Sequence, residues 1–167
     1  MTIEPAWVER ARRNLGVKET PGPVSTASIL KYRIMGKCLL KGDDGDVPWC
    51  AIFCNAMLEA VGIKGTRSAM ARSFSRWGQD CTVTKIPLGA VVVLSSTRGP
   101  ASGHVGFAVA LSPTHVWLLG GNQGDAVSVA PFKRSRIVAV RWPDGGPVPT
   151  GMSTNKVASV QREVSDA

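Results

Sequence analysis

Val105–Leu111 (VGFAVAL), Ser112–Thr114 (SPT) and His115–Leu119 (HVWLL) decide the fold. Two runs rich in β-branched and aromatic residues flank a short connection containing proline, which predicts two antiparallel strands joined as a hairpin. Working outward, Ala126–Ala130 and Arg136–Trp142 on one side, and Cys81–Lys85 and Ala90–Ser95 on the other, read as further strands punctuated by Gly, Pro and Ser. Before residue 80 the periodicity is helical instead. Pro5 suits the first turn of a helix over about 5–15, where Trp7, Val8, Ala11 and Leu15 recur at helical spacing until Gly16 stops it. A second helix runs from Thr26 or Ser28 to Met35 and closes at Gly36. The third begins near Pro48 and carries Cys50, Phe53, Cys54, Met57, Leu58 and Val61 on its apolar face before Gly62. Ser68 caps a short fourth helix that reaches Trp77 and ends at Gly78. Helices first and strands second predict an α+β domain over residues 1–143, with N-terminal helices packed on a C-terminal antiparallel β-sheet. From Asp144 the periodicity is lost, so 144–167 is expected to be a flexible tail.

With 167 residues, 44% hydrophobic and 19% charged, the chain can bury a core, which excludes a wholly disordered protein. Its longest apolar stretch, about Gly89–Leu94, is far short of the roughly 20 residues a membrane helix needs. Met1-Thr2-Ile3-Glu4-Pro5 lacks the charged-then-apolar pattern of an export signal, so synthesis in the cytoplasm without a Sec-type address is expected. The four cysteines are expected to be free thiols. Twenty Lys and Arg against twelve Asp and Glu leave a net charge of +8, which suits nucleic acid, anionic lipid or a carboxylate-bearing polymer such as bacterial cell wall. The cations are spread, with Arg10, Arg12, Arg13 and Lys18 near the start and Lys133, Arg134, Arg136 and Arg141 near the end. No block of five or six like charges exists, so an unstructured nucleic-acid-binding arm is not expected.

Only two histidines, His104 and His115, can serve a Cys/His or Ser/His mechanism. His104 follows Gly103 at a strand start, where backbone or substrate can come close; His115 falls at the turn end of the hairpin, a solvated place. Among the cysteines, Cys50 lies in the first turn of the third helix. Unpaired backbone amides and the helix dipole there are expected to stabilise a thiolate, lower its pKa and hold an oxyanion. Cys54, one turn on, reads as a buried small hydrophobe, and Cys38 and Cys81 carry no signature. The strand Val116–Leu119 runs into Gly120-Gly121-Asn122-Gln123-Gly124-Asp125, and a hairpin returns its outer ends side by side. Asn122 or Gln123 can then accept from the imidazole N–H and hold its tautomer.

Two other constellations are set aside. Cys50, Cys54 and His104 could supply three zinc ligands, but the cysteine spacing is helical and the sequence points to no particular fourth ligand, so no metal is expected. Asp43, Asp44 and Asp46 precede the cysteine without matching a calcium-loop pattern and read as a solvated turn.

Trp49-Cys50-Ala51 opening a helix, then Gly103-His104-Val105-Gly106-Phe107, then Gly120-Gly121-Asn122-Gln123-Gly124-Asp125-Ala126-Val127 resemble the NlpC/CHAP group of papain-like peptidoglycan hydrolases, above all its small bacteriophage endolysin-like members. The resemblance covers about residues 5–143. It implies a papain-like fold and a metal-free, cofactor-free hydrolysis of amide bonds in cell-wall stem peptides. By that resemblance Cys50 is the nucleophile, His104 the general base and later acid, and Asn122 the orienting residue, with Trp49, Gly103 and Gln123 as candidate substrate contacts. Trp49 stands where many CHAP enzymes carry Gln, a departure at the side-chain half of the oxyanion hole. Muramoyl-alanine amidases and stem-peptide or cross-bridge endopeptidases share this chemistry.

The expected partners are peptidoglycan and an anionic membrane surface, not nucleic acid, and the expected state is a monomer. The expected place of action is the cell wall, in the periplasm or outside the cell, reached during phage lysis or by delivery as an antibacterial effector. A non-catalytic basic module that binds cell wall or nucleic acid is the alternative.

Overall fold

A computed structural model describes residues 3–19, 27–38, 48–96 and 103–154. The chain is mixed α+β. Helices α1 (Ala6–Arg12), α2 (Ala27–Met35) and α3 (Cys50–Ala60) precede strands β1 (Gln79–Asp80), β2 (Val91–Leu94), β3 (His104–Leu111), β4 (His115–Gly120), β5 (Ser128–Lys133) and β6 (Ile137–Trp142). The strands form one six-stranded sheet in the order β1-β6-β2-β3-β4-β5, with every neighbouring pair antiparallel. Among the described residues, no helix is long and apolar enough to cross a membrane.

The central helix is α3. Every residue from Cys50 to Leu58 is buried, so the helix is enclosed all round instead of along one stripe. Its single polar core residue, Asn55, is fully buried and fully occupied. Its amide donates to the carbonyls of Ala51 and Ser68, both at 3.0 Å, and its oxygen accepts from the Arg67 backbone N–H, also at 3.0 Å. These bonds bind the loop after α3 to the helix body and satisfy groups that would be costly to bury unpaired. Helix α1 is anchored by Trp7, whose indole donates to Gly89 O at 2.8 Å and meets Trp142 edge-on at 5.1 Å.

The hairpin stands as expected: β3 and β4 pair through Phe107↔Leu119 and Leu111↔Val116, and Ser112 N–H donates to His115 O at 2.9 Å across the connection. Two strand assignments change. Residues 81–85 turn instead of extending, with Lys85 N–H donating to Thr82 O at 3.1 Å, and β1 lies just upstream at Gln79–Asp80. The last strand before β6 begins at Ser128 instead of Ala126 and continues through Pro131 to Lys133. Proline fits there because β5 is a sheet edge, where its missing N–H breaks no ladder bond. Ala126 instead bridges Lys18, so the segment after α1 braces the loop that follows β4.

The fourth helix is a 3-10 turn over Ala71–Arg76, and Ser68 Oγ accepts from Met70 N–H at 3.1 Å just before it. The stretch expected to begin the tail is held in place as far as it is described: Gly151 bridges Pro87, and Met152 N–H donates to Ile86 O at 2.8 Å. Residues 155–167 lie outside the described residues. All four cysteines are free and buried.

Candidate active site

Cys50 is the first residue of α3, with Trp49 as the residue capping it. Only 2% of Cys50 is exposed. Burial pushes its thiol pKa up. The backbone N–H groups of Val105, Ala51 and Cys50 itself face the sulfur and pull the other way without prevailing. The expected lowering is therefore corrected in sign: amides and helix terminus are present, but desolvation outweighs them. Cys54 is fully buried, and desolvation raises its thiol pKa further above the ordinary value.

Val105 follows His104, so the amide that meets the Cys50 sulfur comes from the same strand start that carries the imidazole. Among the described residues no hydrogen bond joins thiol to imidazole directly. His104 is half-buried, and its Nε2 lies 2.9 Å from Gln123 Oε1. The orientation of that amide follows from its other bonds. Gln123 Nε2 donates to Leu118 O at 3.0 Å and to Ser128 O at 2.8 Å, so the oxygen is the end that faces histidine. An acceptor at Nε2 requires the proton to sit there, which leaves the Nδ1 lone pair free to take a proton. Burial lowers the His104 pKa; the Gln123 bond opposes this, and the Arg136 charge adds to the lowering.

Of the two residues the sequence leaves open, Asn122 and Gln123, the resemblance chooses Asn122 for this place, and it is Gln123 that occupies it. Carrying the β3–β4 register onward from Phe107↔Leu119 would set Asn122 opposite His104, but that pairing ends at Leu119 and strand β4 at Gly120. Asn122 then turns into the left-handed region with φ +59°, and the side chain that comes back to the imidazole is the next one. Close packing leaves no room for side chains before it. A Cβ on Gly120 would stand 2.8 Å from Gln123 Oε1, and one on Gly121 would stand 2.7 Å from the Trp49 ring.

The candidate contacts divide differently as well. Trp49 is fully buried, stacked on Tyr32 at 6.3 Å with its indole donating to Glu19 Oε2 at 3.3 Å, so it supports the start of α3 and offers no surface to a ligand. Gln123 is committed to His104 and the backbone. Gly103 is needed for space, since a Cβ there would come within 2.8 Å of Leu94 O. His115 lies at the hairpin end, its Nδ1 2.8 Å from Thr114 Oγ1, as expected of a surface turn. Asp43, Asp44 and Asp46 lie outside the described residues. Among the described residues, no three His, Cys, Asp or Glu side chains converge as a metal site would require.

Sequence reasoning did not single out Arg136, Phe132 or Glu19. Phe132 packs against the imidazole with ring centroids 5.1 Å apart, and no local motif marks it. A Gln123→Leu chain is expected to lose about 1–3 kcal/mol of stability through its orphaned partners. Urea unfolding checks this; an unchanged midpoint would contradict the buried bonding described above. Comparison of the chain with protein-family models and with curated proteins finds no match in either.

Proposed function

We propose that the protein is a papain-like cysteine hydrolase of the NlpC/CHAP type that cuts an amide bond in the stem peptides of bacterial cell wall. The carrying observation is the Gln123–His104 bond with its fixed amide, which leaves Nδ1 as the proton acceptor at the strand start whose next amide meets Cys50. In this mechanism the Cys50 sulfur attacks the scissile carbonyl while its proton passes to His104 Nδ1. The first amides of α3 hold the oxyanion. The C–N bond breaks as His104 gives that proton to the leaving amine. Water then attacks the thioester with His104 as base, releasing a carboxylate and restoring the thiol. Burial raises the Cys50 thiol pKa and lowers that of His104, which favours a thiol facing a neutral imidazole, so in this mechanism the nucleophile forms during attack. The net charge of +8 draws the chain to a wall rich in carboxylates, in a salt-dependent way.

Turbidity of suspended purified cell wall, read beside sedimentation of the protein with that wall, tests the proposal. Falling turbidity is expected. Co-sedimentation without clearing would overturn hydrolysis in favour of the basic binding module.

A further inference from the structure

Arg136 comes to the site from a segment far from His104 in sequence, just ahead of β6. It closes the 3-10 turn Arg134–Arg136 ahead of β6, and two bonds fix it to Ser95: Ser95 N–H donates to its carbonyl and its Nη2 donates to Ser95 O, both at 2.8 Å. Leu94, the neighbour of Ser95, is paired with His104. The guanidinium lies 5.7 Å from the centroid of the Phe132 ring, the same ring that packs on the His104 imidazole. Arg136 is thus held within reach of the reacting groups by backbone and by ring stacking.

Among the described residues its remaining donors have no partner. A guanidinium carries five N–H groups. Among the described residues one of them is bonded, and Nε is buried with no partner. Burying a cationic donor unpaired is costly, and among the described residues no carboxylate offsets it. The contrast with other arginines is sharp: Arg13, Arg67 and Arg141 each face a carboxylate of this chain, at Glu9, Glu59 and Asp80. No such acid pairs with Arg136 among the described residues. A second cation stands near. The Cγ of exposed Arg72 is 3.8 Å from where a Gly103 Cβ would be, and no carboxylate pairs with Arg72 among the described residues.

We propose that Arg136, assisted by Arg72, is a specificity residue that binds a free carboxylate carried by the substrate beside the bond to be cut. The planar guanidinium suits a carboxylate held by two parallel N–H···O bonds; with Nε buried and one Nη2 N–H on Ser95 O, the pair that remains for it is Nη1 and the second N–H of Nη2. The occupant is a stem peptide whose side carboxylate is free; the same peptide with that carboxylate amidated is the disfavoured ligand. The inference rests on the hydrolase reading for the identity of the peptide, and its test measures binding alone.

In a Cys50→Ala chain, which cannot consume the ligand, calorimetry with the acidic stem peptide and its amidated twin should show the acid bound about tenfold to a hundredfold more tightly, as a charge-assisted pair predicts. Arg136→Gln should weaken the acid to the level of its twin and leave the twin unchanged, with Arg136→Lys recovering part of the difference. Exposed Arg72→Gln, which removes no side-chain bond among the described residues, should cost the acid severalfold and the twin nothing. Equal affinities for the two peptides, or equal losses on both, would overturn the subsite. Wall clearing by the wild-type chain is read separately. Clearing without carboxylate preference defeats only the subsite, and preference without clearing defeats only the hydrolase.

Discussion

Cys50→Ala is expected to lower wall hydrolysis by at least about a thousandfold, the scale on which loss of a covalent nucleophile acts. The substitution removes one sulfur from the first residue of α3 and leaves the backbone amides of Val105 and Ala51 where they are. Its stability cost should stay near about 1 kcal/mol, since little volume is lost. Cys54→Ala is the matched control, equally buried one turn along the same helix. It should show a similar small shift in unfolding midpoint with wall-clearing rate within about twofold of wild type. Comparable losses in both variants would mean that the thiols matter only as packing.

His104→Ala should cost between about a hundredfold and ten-thousandfold, the usual range for a positioned general base. Its pH dependence separates proton transfer from simple packing. In the wild type, burial holds the His104 pKa below the ordinary value, so the imidazole is a free base through neutral pH and activity falls only when acidification protonates it, below about pH 6.5. Burial holds the Cys50 thiol above its ordinary value, so the alkaline limb lies above about pH 8.5 and the profile is a wide plateau. Without His104 the acid limb should vanish. The residual rate should climb with pH as hydroxide alone generates thiolate. An acid limb unchanged in His104→Ala would exclude the imidazole from proton transfer.

Much of the fold could be read from the chain because apolar periodicity and turn residues are local signals. The hairpin followed from two β-branched runs around Ser112-Pro113-Thr114, and α3 from Cys50, Phe53, Cys54, Met57 and Leu58 at helical spacing. The failures are tertiary. Cys81-Thr82-Val83 has strand composition, yet after Cys81 N–H donates to Val140 O the chain turns and Val83 is 45% exposed, so propensity had no pairing partner to act on beyond Cys81. The strand expected over Ala126–Ala130 runs on through Pro131, which its position at the sheet edge makes acceptable.

The site divides along the same line. His104 and Cys50 were legible because each sits at the start of an element. The partner of the imidazole was narrowed to Asn122 or Gln123 and the resemblance chose Asn122, although a signal favoured the other: Asn is among the few residues at ease with positive φ, and Asn122 before Gln123-Gly124 marks the turn that swings Gln123 inward. The protonation state of Cys50 was not legible. A helix terminus is visible in sequence, whereas the depth at which the fold buries it is not. Arg136 was hidden for the same reason, since its neighbours Ser95, His104 and Phe132 come from three different strands or strand ends.

The most direct measurement is mass spectrometry of soluble wall fragments after incubation with wild type and with Cys50→Ala. Wild type is predicted to yield new fragment pairs, one ending in a carboxylate and the other in a free amine, their summed mass exceeding the parent by one water, and Cys50→Ala none. Fragments left whole by the wild type, or the same new ends produced by both chains, would contradict the assignment of Cys50 as the nucleophile of an amide hydrolase.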